Sequence, residues 1–202
     1  MKKTNMHKRA RSLLYIGSAC ALVGGSARLG GQQPAAAATP PTTDAQSFVE
    51  KASREGLPTA LLRAKIAEGT AQHASPSRIA TVAAAYYKAL GDARTLSITD
   101  TTEWEAAASA LRGGVSLDAL REIRSARHGT QAAMAFIVAL DLIQRGVPAD
   151  SVRSGLVQAI KSGATDRDLL ALQTHVATSM VNGTSALAAY RTWRMPNRGP
   201  AP

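Results

Sequence analysis

The chain has 202 residues, 24 Lys and Arg against 14 Asp and Glu, a formal net charge of +10, 4% aromatic residues and one Cys. That length suits one domain with tails, and a 45% hydrophobic content is too high for wholesale disorder. One Cys closes no intrachain disulfide and supplies no Cys-pair zinc or redox motif, and so few aromatics make a poor stacking surface for single-stranded nucleic acid.

The N-terminal segment comes first. Lys2, Lys3, Lys8, Arg9 and Arg11 precede any acid, an apolar stretch runs from Leu13 to Val23, and Gly24, Gly25, Gly30, Gly31 and the run Ala35 to Ala38 follow. Basic, apolar, then small is the order of a secretory signal, with cleavage expected near Ala38 and a weaker alternative at Gly25 and Ala27. The apolar stretch is too short for a permanent membrane span. Cys20 is a candidate lipid-attachment site, because Ser18 and Ala19 precede it as in lipoprotein signals. Gly17, however, stands where those signals carry a large aliphatic residue, and the plainer reading of Cys20 is a small apolar residue in a discarded segment. Arg9 and Arg11 are not adjacent, which argues against twin-arginine export.

This segment also redistributes the charge. Residues 1–38 carry +6 and residues 39–202 carry +4, of which Arg191, Arg194 and Arg198 supply three beyond the last acid, Asp168. The body is therefore nearly neutral, and the high pI is an export address rather than a polyanion-binding surface. No nucleic acid is expected as a partner.

Residues 39–43 (Thr-Pro-Pro-Thr-Thr) form an extended linker, 44–194 a single helical domain, and 195–202 a Pro/Gly tail expected to be disordered. Between linker and tail, Ala and Leu dominate without sustained β-branched alternation, so the fold class is all-α. The spacing predicts a bundle or short solenoid of eight to nine short amphipathic helices at 44–55, 58–68, 76–90, 101–112, 116–127, 130–145, 148–162, 165–181 and 184–194. Glycines at 56, 69, 91, 113/114, 129, 146, 163 and 183 punctuate them as helix C-caps. A recurring pattern follows: Gly, an aliphatic or Ala, then Pro, Ser or Thr, with Leu62, Ile79, Leu120, Val152 and Leu169 four residues beyond that last position. The interval from 58 to 75 equals that from 148 to 165, which points to an internal duplication of helical hairpins. Helix 130–145 is apolar over most of its circumference and is the candidate central helix. Gly155, inside a helix, marks a close crossing.

Chemistry is sparse. The histidines lack the i, i+4 spacing of a helical zinc pair, and no nucleophile elbow, phosphate loop or dinucleotide fingerprint occurs. Neither Glu103 with Glu105 nor Asp166 with Asp168 shares a helix face, so first-turn dipole complementation is the better reading of both. Asn182-Gly183-Thr184 matches a glycosylation sequon but reads more simply as a C-cap. Arg121, Arg124 and His128 form an i, i+3, i+7 stripe with Arg127 beside it, a candidate docking face for an acidic partner, phosphate or membrane, weighed against a plain solvated face. Trp193 between Arg191 and Arg194 is a candidate anchor on a partner or on lipid headgroups, weighed against packing of the last helix.

These features give no catalytic residue, cofactor or metal. The expectation is an exported, non-enzymatic interaction or scaffold protein of the bacterial envelope or extracellular space, with an envelope protein as partner. Membrane contact is expected only through an uncleaved signal or a lipid anchor. The alternatives are a helical binder of a small apolar ligand or lipid, and a hydrolase with a polar cluster near His175.

Overall fold

A computed structural model describes residues 42–194; the signal segment with Cys20, most of the 39–43 linker and the 195–202 tail lie outside the described residues. The described residues are all-α, with nine α-helices and no strand. In order these are α1 (Thr42–Arg54), α2 (Thr59–Ala71), α3 (Pro76–Ala93), α4 (Thr101–Arg112), α5 (Leu117–Ala126), α6 (Ala133–Gln144), α7 (Ala149–Lys161), α8 (Asp166–Val181) and α9 (Ala186–Thr192), with a 3-10 turn at Arg94–Leu96. Among the described residues no helix is long and apolar enough to cross a membrane.

One type of turn recurs. A helix ends, the next residue adopts positive φ, and an apolar or small residue leads into the following N-cap. Gly56, Gly114, Gly146, Gly163 and Gly183 take the left-handed position, and His73 takes it before Ala74 and Ser75. The residue after it donates its N–H back across the last helical turn: Leu57 to Ala52, Val115 to Ala110, Val147 to Leu142 and Ala164 to Ala159, at 2.8–3.0 Å. These bonds satisfy carbonyls that the helix leaves open. Leu57, Val115, Val147 and Ala164 are themselves buried, so each turn is pinned by an apolar contact as well. Four residues past the cap position, Leu62, Leu120, Val152 and Leu169 are buried, whereas Ile79 is only half-buried. The Ser75, Ser116 and Ser185 hydroxyls accept from N–H groups three residues on, and Asp168 reaches back to accept from the Thr165 N–H at 2.7 Å, completing a capping box.

Two glycines depart from the punctuation. Gly69 and Gly91 lie inside α2 and α3 rather than ending them. At Gly69 a Cβ would come within 3.0 Å of Ile79, so its absence lets α2 approach α3; nothing in the structure explains Gly91. Because Gly91 does not cap, α3 continues to Ala93 and closes through the 3-10 turn, with Ser97 at positive φ. Helix α6 starts at Ala133 instead of 130, since His128 and Gly129 are both left-handed and redirect the chain.

The core falls into two clusters joined by α4. Val49, Leu57, Leu61, Leu62, Tyr86 and Leu90 gather α1–α3 with Ala108. The larger cluster gathers α4–α9 around Phe136, Val138 and Leu142 of α6, which packs against α4, α7 and α8. Helix α4 serves both because it is alanine-rich: Ala108 turns to the first cluster and Ala106, Ala107 and Ala110 to the second. Trp104 and Leu111 touch both. The expected central position of α6 is therefore observed, although Ile137 faces outward, 43% exposed.

Tyr86 is wholly buried, with the Arg112 guanidinium 5.7 Å from its ring centre and, among the described residues, no hydrogen-bond partner for its hydroxyl. A desolvated, unpaired hydroxyl is a net cost. Tyr86→Phe is therefore expected to leave the unfolding free energy unchanged or raise it by about 1 kcal/mol, measured by urea unfolding. A loss of similar size would show that a buried water bonds the hydroxyl.

Candidate functional site

The arginine stripe lies on α5, whose apolar side (Leu120, Ile123, Ala126) is buried and whose other sides face outward. The structure divides the stripe. Arg121 is exposed and pairs only locally, with Asp118 one turn earlier at 2.5 Å. Such a pair contributes little and leaves the guanidinium accessible. Arg124 instead crosses to α4: its Nε donates to Glu103 Oε1 at 2.9 Å and its Nη2 to the Ser97 carbonyl at 3.1 Å. Glu103 is nearly buried, so Arg124 compensates a carboxylate that would otherwise be stranded. Arg127 reaches Asp166 at the start of α8, with its Nε buried and, among the described residues, unbonded. His128 is exposed in the left-handed conformation just beyond α5. Two of the four residues thus tie helices together, and Arg121 and His128 carry the accessible polarity.

Glu103 was legible as a first-turn acid, and it does occupy that turn. Its cross-helix role was not, because Arg124 is 21 residues away and no periodicity links them. Asp166 and Asp168 separate in the same manner: one pairs with Arg127, the other serves the N-cap of α8. Asn182 is the C-cap of α8, with Gly183 at positive φ behind it.

Trp193 ends α9, half-buried against the larger core cluster. One turn earlier, Tyr190 extends over α7 and donates its hydroxyl to the Ser151 carbonyl at 3.1 Å. It passes directly over Gly155, where a Cβ would lie 1.9 Å from Tyr190 Oη. At Gly155 the close approach is made by the Tyr190 side chain, while α9 itself packs chiefly against α8. Burial pushes the Tyr190 phenol up to about 12, and burial, with Glu105 as a smaller contributor, does the same for Tyr86.

The folded state therefore holds these two phenolic protons more tightly than the unfolded chain, whose tyrosines titrate near 10. The stabilisation is complete below pH 10 and is lost as pH rises from 10 through 12. Phenolate absorbance in an alkaline titration is expected to show Tyr86 and Tyr190 ionising only as helicity is lost, apart from exposed Tyr87, which its hydrogen bond to Glu55 raises independently. The double variant Tyr86→Phe/Tyr190→Phe is expected to lose the part of the late signal that tracks unfolding; late signal of undiminished amplitude would contradict the assignment.

His175 lies on α8, its Nε2 3.4 Å from Thr192 Oγ1, beside an open depression lined by Arg167, Leu170, Thr174 and Thr178. Among the described residues no cluster of three His, Cys, Asp or Glu could hold a metal ion. Comparison with models of known protein families, with curated proteins and with solved structures finds no significant match in any of the three.

Proposed function

We propose that this chain is an exported, non-enzymatic helical interaction or scaffold protein of the bacterial cell envelope or extracellular space. The observation that carries the reading is the partition of charge along the sequence: a basic, then apolar, then small-residue segment precedes a nearly neutral body. The helical body adds a motive, since stacked helical turns present extended faces without requiring a deep pocket. Arg121 on α5 and His128 just beyond it are accessible hydrogen-bond donors that an acidic protein segment could engage.

The same reading includes an ancestral duplication of a three-helix unit. Helices α2 and α7 begin and end 90 residues apart, α3 and α8 begin 90 apart, and α1 and α6 end 90 apart. The turns between them share one geometry. Packing is shared in part: α1 meets α2 and α3 as α6 meets α7 and α8, whereas α2 also lies against α3 and α7 lies against α5 instead.

The test is a photo-crosslinking amino acid placed at Arg121 or His128 in living cells, with Lys88 on α3 as the control position. Adducts with the same envelope protein from both α5 positions, and none from Lys88, are expected. Absence of adducts together with turnover in a hydrolase panel would overturn the reading. A ligand-binding role is the second reading, favoured by one observation: α7, α8 and α9 line a solvent-open groove that includes Leu172, Tyr190 and Trp193.

A further inference from the structure

We propose that the cavity between α7, α8 and α9 binds one small amphipathic anion, an acyl chain ending in a carboxylate. This inference does not depend on the α5 patch. The cavity is a groove open to solvent along one side, of about 300 Å³, enough to seat a single short chain with part of it left exposed. Its construction begins with Gly155. Lacking a Cβ, that residue lets Tyr190 lie across α7, and the Tyr190–Ser151 hydrogen bond fixes the ring as a wall. Leu172 and Ala159, both buried, supply the floor, and half-buried Trp193 lines the side toward α9. An acyl chain placed there would meet aliphatic and aromatic carbon, with burial contributing about 25 cal/mol per Å².

The rim is polar and of one sign. Gln158 and Ser162 are exposed at the mouth, and Arg194 stands beside them. Arg194 Nη1 donates to the backbone carbonyls of Arg191 and Trp193, which orients the guanidinium. Those acceptors are neutral, and among the described residues no carboxylate pairs with Arg194 or with Arg191; the sequence holds no acid after Asp168. The carbonyl end of α7, which would repel an anion, is capped: Ser162, Gly163 and Ala164 donate to Gln158, Ile160 and Ala159. A carboxylate at the rim thus meets a cation and hydrogen-bond donors. The volume favours a free single-chain acid over a two-chain phospholipid.

The probe is sodium decanoate below its micelle concentration, titrated into the purified full chain and followed by calorimetry and tryptophan fluorescence. One saturable site is expected. Arg194→Glu should weaken binding about tenfold or more, and decanol, the neutral counterpart, should bind wild type about tenfold more weakly than decanoate. Ser162→Trp, an exposed position at the mouth, should block the site, with circular dichroism confirming the helical fold; Arg194→Glu decides the matter if that variant misfolds. Arg121→Glu on α5 should leave decanoate binding unchanged. The proposal is overturned by absence of saturable binding, by equal affinity for decanol, or by unchanged affinity in Arg194→Glu. Binding to phosphatidylglycerol vesicles without binding to decanoate would also overturn it, assigning the cavity to the membrane surface.

Discussion

Arg124→Met is expected to lower the unfolding free energy by about 3 kcal/mol, the scale seen when a buried carboxylate loses its partner. Glu103 is 4% exposed on its side chain and its recorded bond runs to Arg124 Nε, so the substitution strands a charge between α4 and α5. It also removes the bond to the Ser97 carbonyl, which steadies a residue at positive φ just before α4. For a domain of this size the melting temperature should fall by roughly 10 °C. The companion variant Glu103→Met/Arg124→Met should recover to within about 1 kcal/mol of wild type, because a well-packed apolar pair often replaces a buried ion pair at little cost. Chemical unfolding of the four members of this cycle gives the coupling directly. If Arg124→Met is as stable as wild type while its double variant is not, Arg124 does not compensate Glu103, and its guanidinium belongs to the docking face.

Gly155→Val is expected to cost about 2–3 kcal/mol and to act mainly on one end of the molecule. The added side chain collides with Tyr190, whose ring cannot flex aside as an aliphatic tip would. Tyr190 must leave, losing its bond to Ser151 and its seat on α7, and α9 is only seven residues long. So short a helix is not stable without its packing. The expected signature is selective. The Tyr190 phenol returns to ordinary titration near 10, Trp193 fluorescence shifts toward that of an exposed indole, and trypsin cuts first at Arg191 or Arg194. Tyr86 should keep its raised titration, since its cluster belongs to α1–α3. Decanoate binding should be lost along with the wall. A Gly155→Val protein with wild-type Tyr190 titration would show that α9 is not latched at this point.

These two positions mark what the sequence made legible. Gly155 stood out because glycine in a helix interior is disfavoured, so an unusual local choice announced a tertiary contact, though not which residue would cross there. The turns were readable for a related reason. Gly146-Val147-Pro148 and Gly163-Ala164-Thr165 each combine a left-handed residue, an apolar plug and an N-cap within three positions, and such local chemistry survives any packing. Where conformation was decided by neighbours, the reading slipped. Gly69 has the same composition cue as Gly56 but is retained inside α2 by its approach to Ile79. His73 takes the left-handed position although it is not glycine. The α5 stripe shows the limit most plainly: helical periodicity placed Arg121, Arg124 and Arg127 on and beside one face, but the acids that claim Arg124 and Arg127 lie 21 and 39 residues away, beyond the reach of any local pattern. The cavity was likewise hidden, because α7, α8 and α9 contribute to it at spacings that mean nothing until the helices are packed.

The measurement that bears most directly on the central claim, an exported and nearly neutral helical domain, is the intact mass of the chain recovered from fractionated cells. Export predicts a periplasmic or extracellular species lacking residues 1–38, its mass that of a chain beginning at Thr39. A cytoplasmic species with the mass of the full 202 residues would contradict it, returning the six N-terminal positive charges to the working protein.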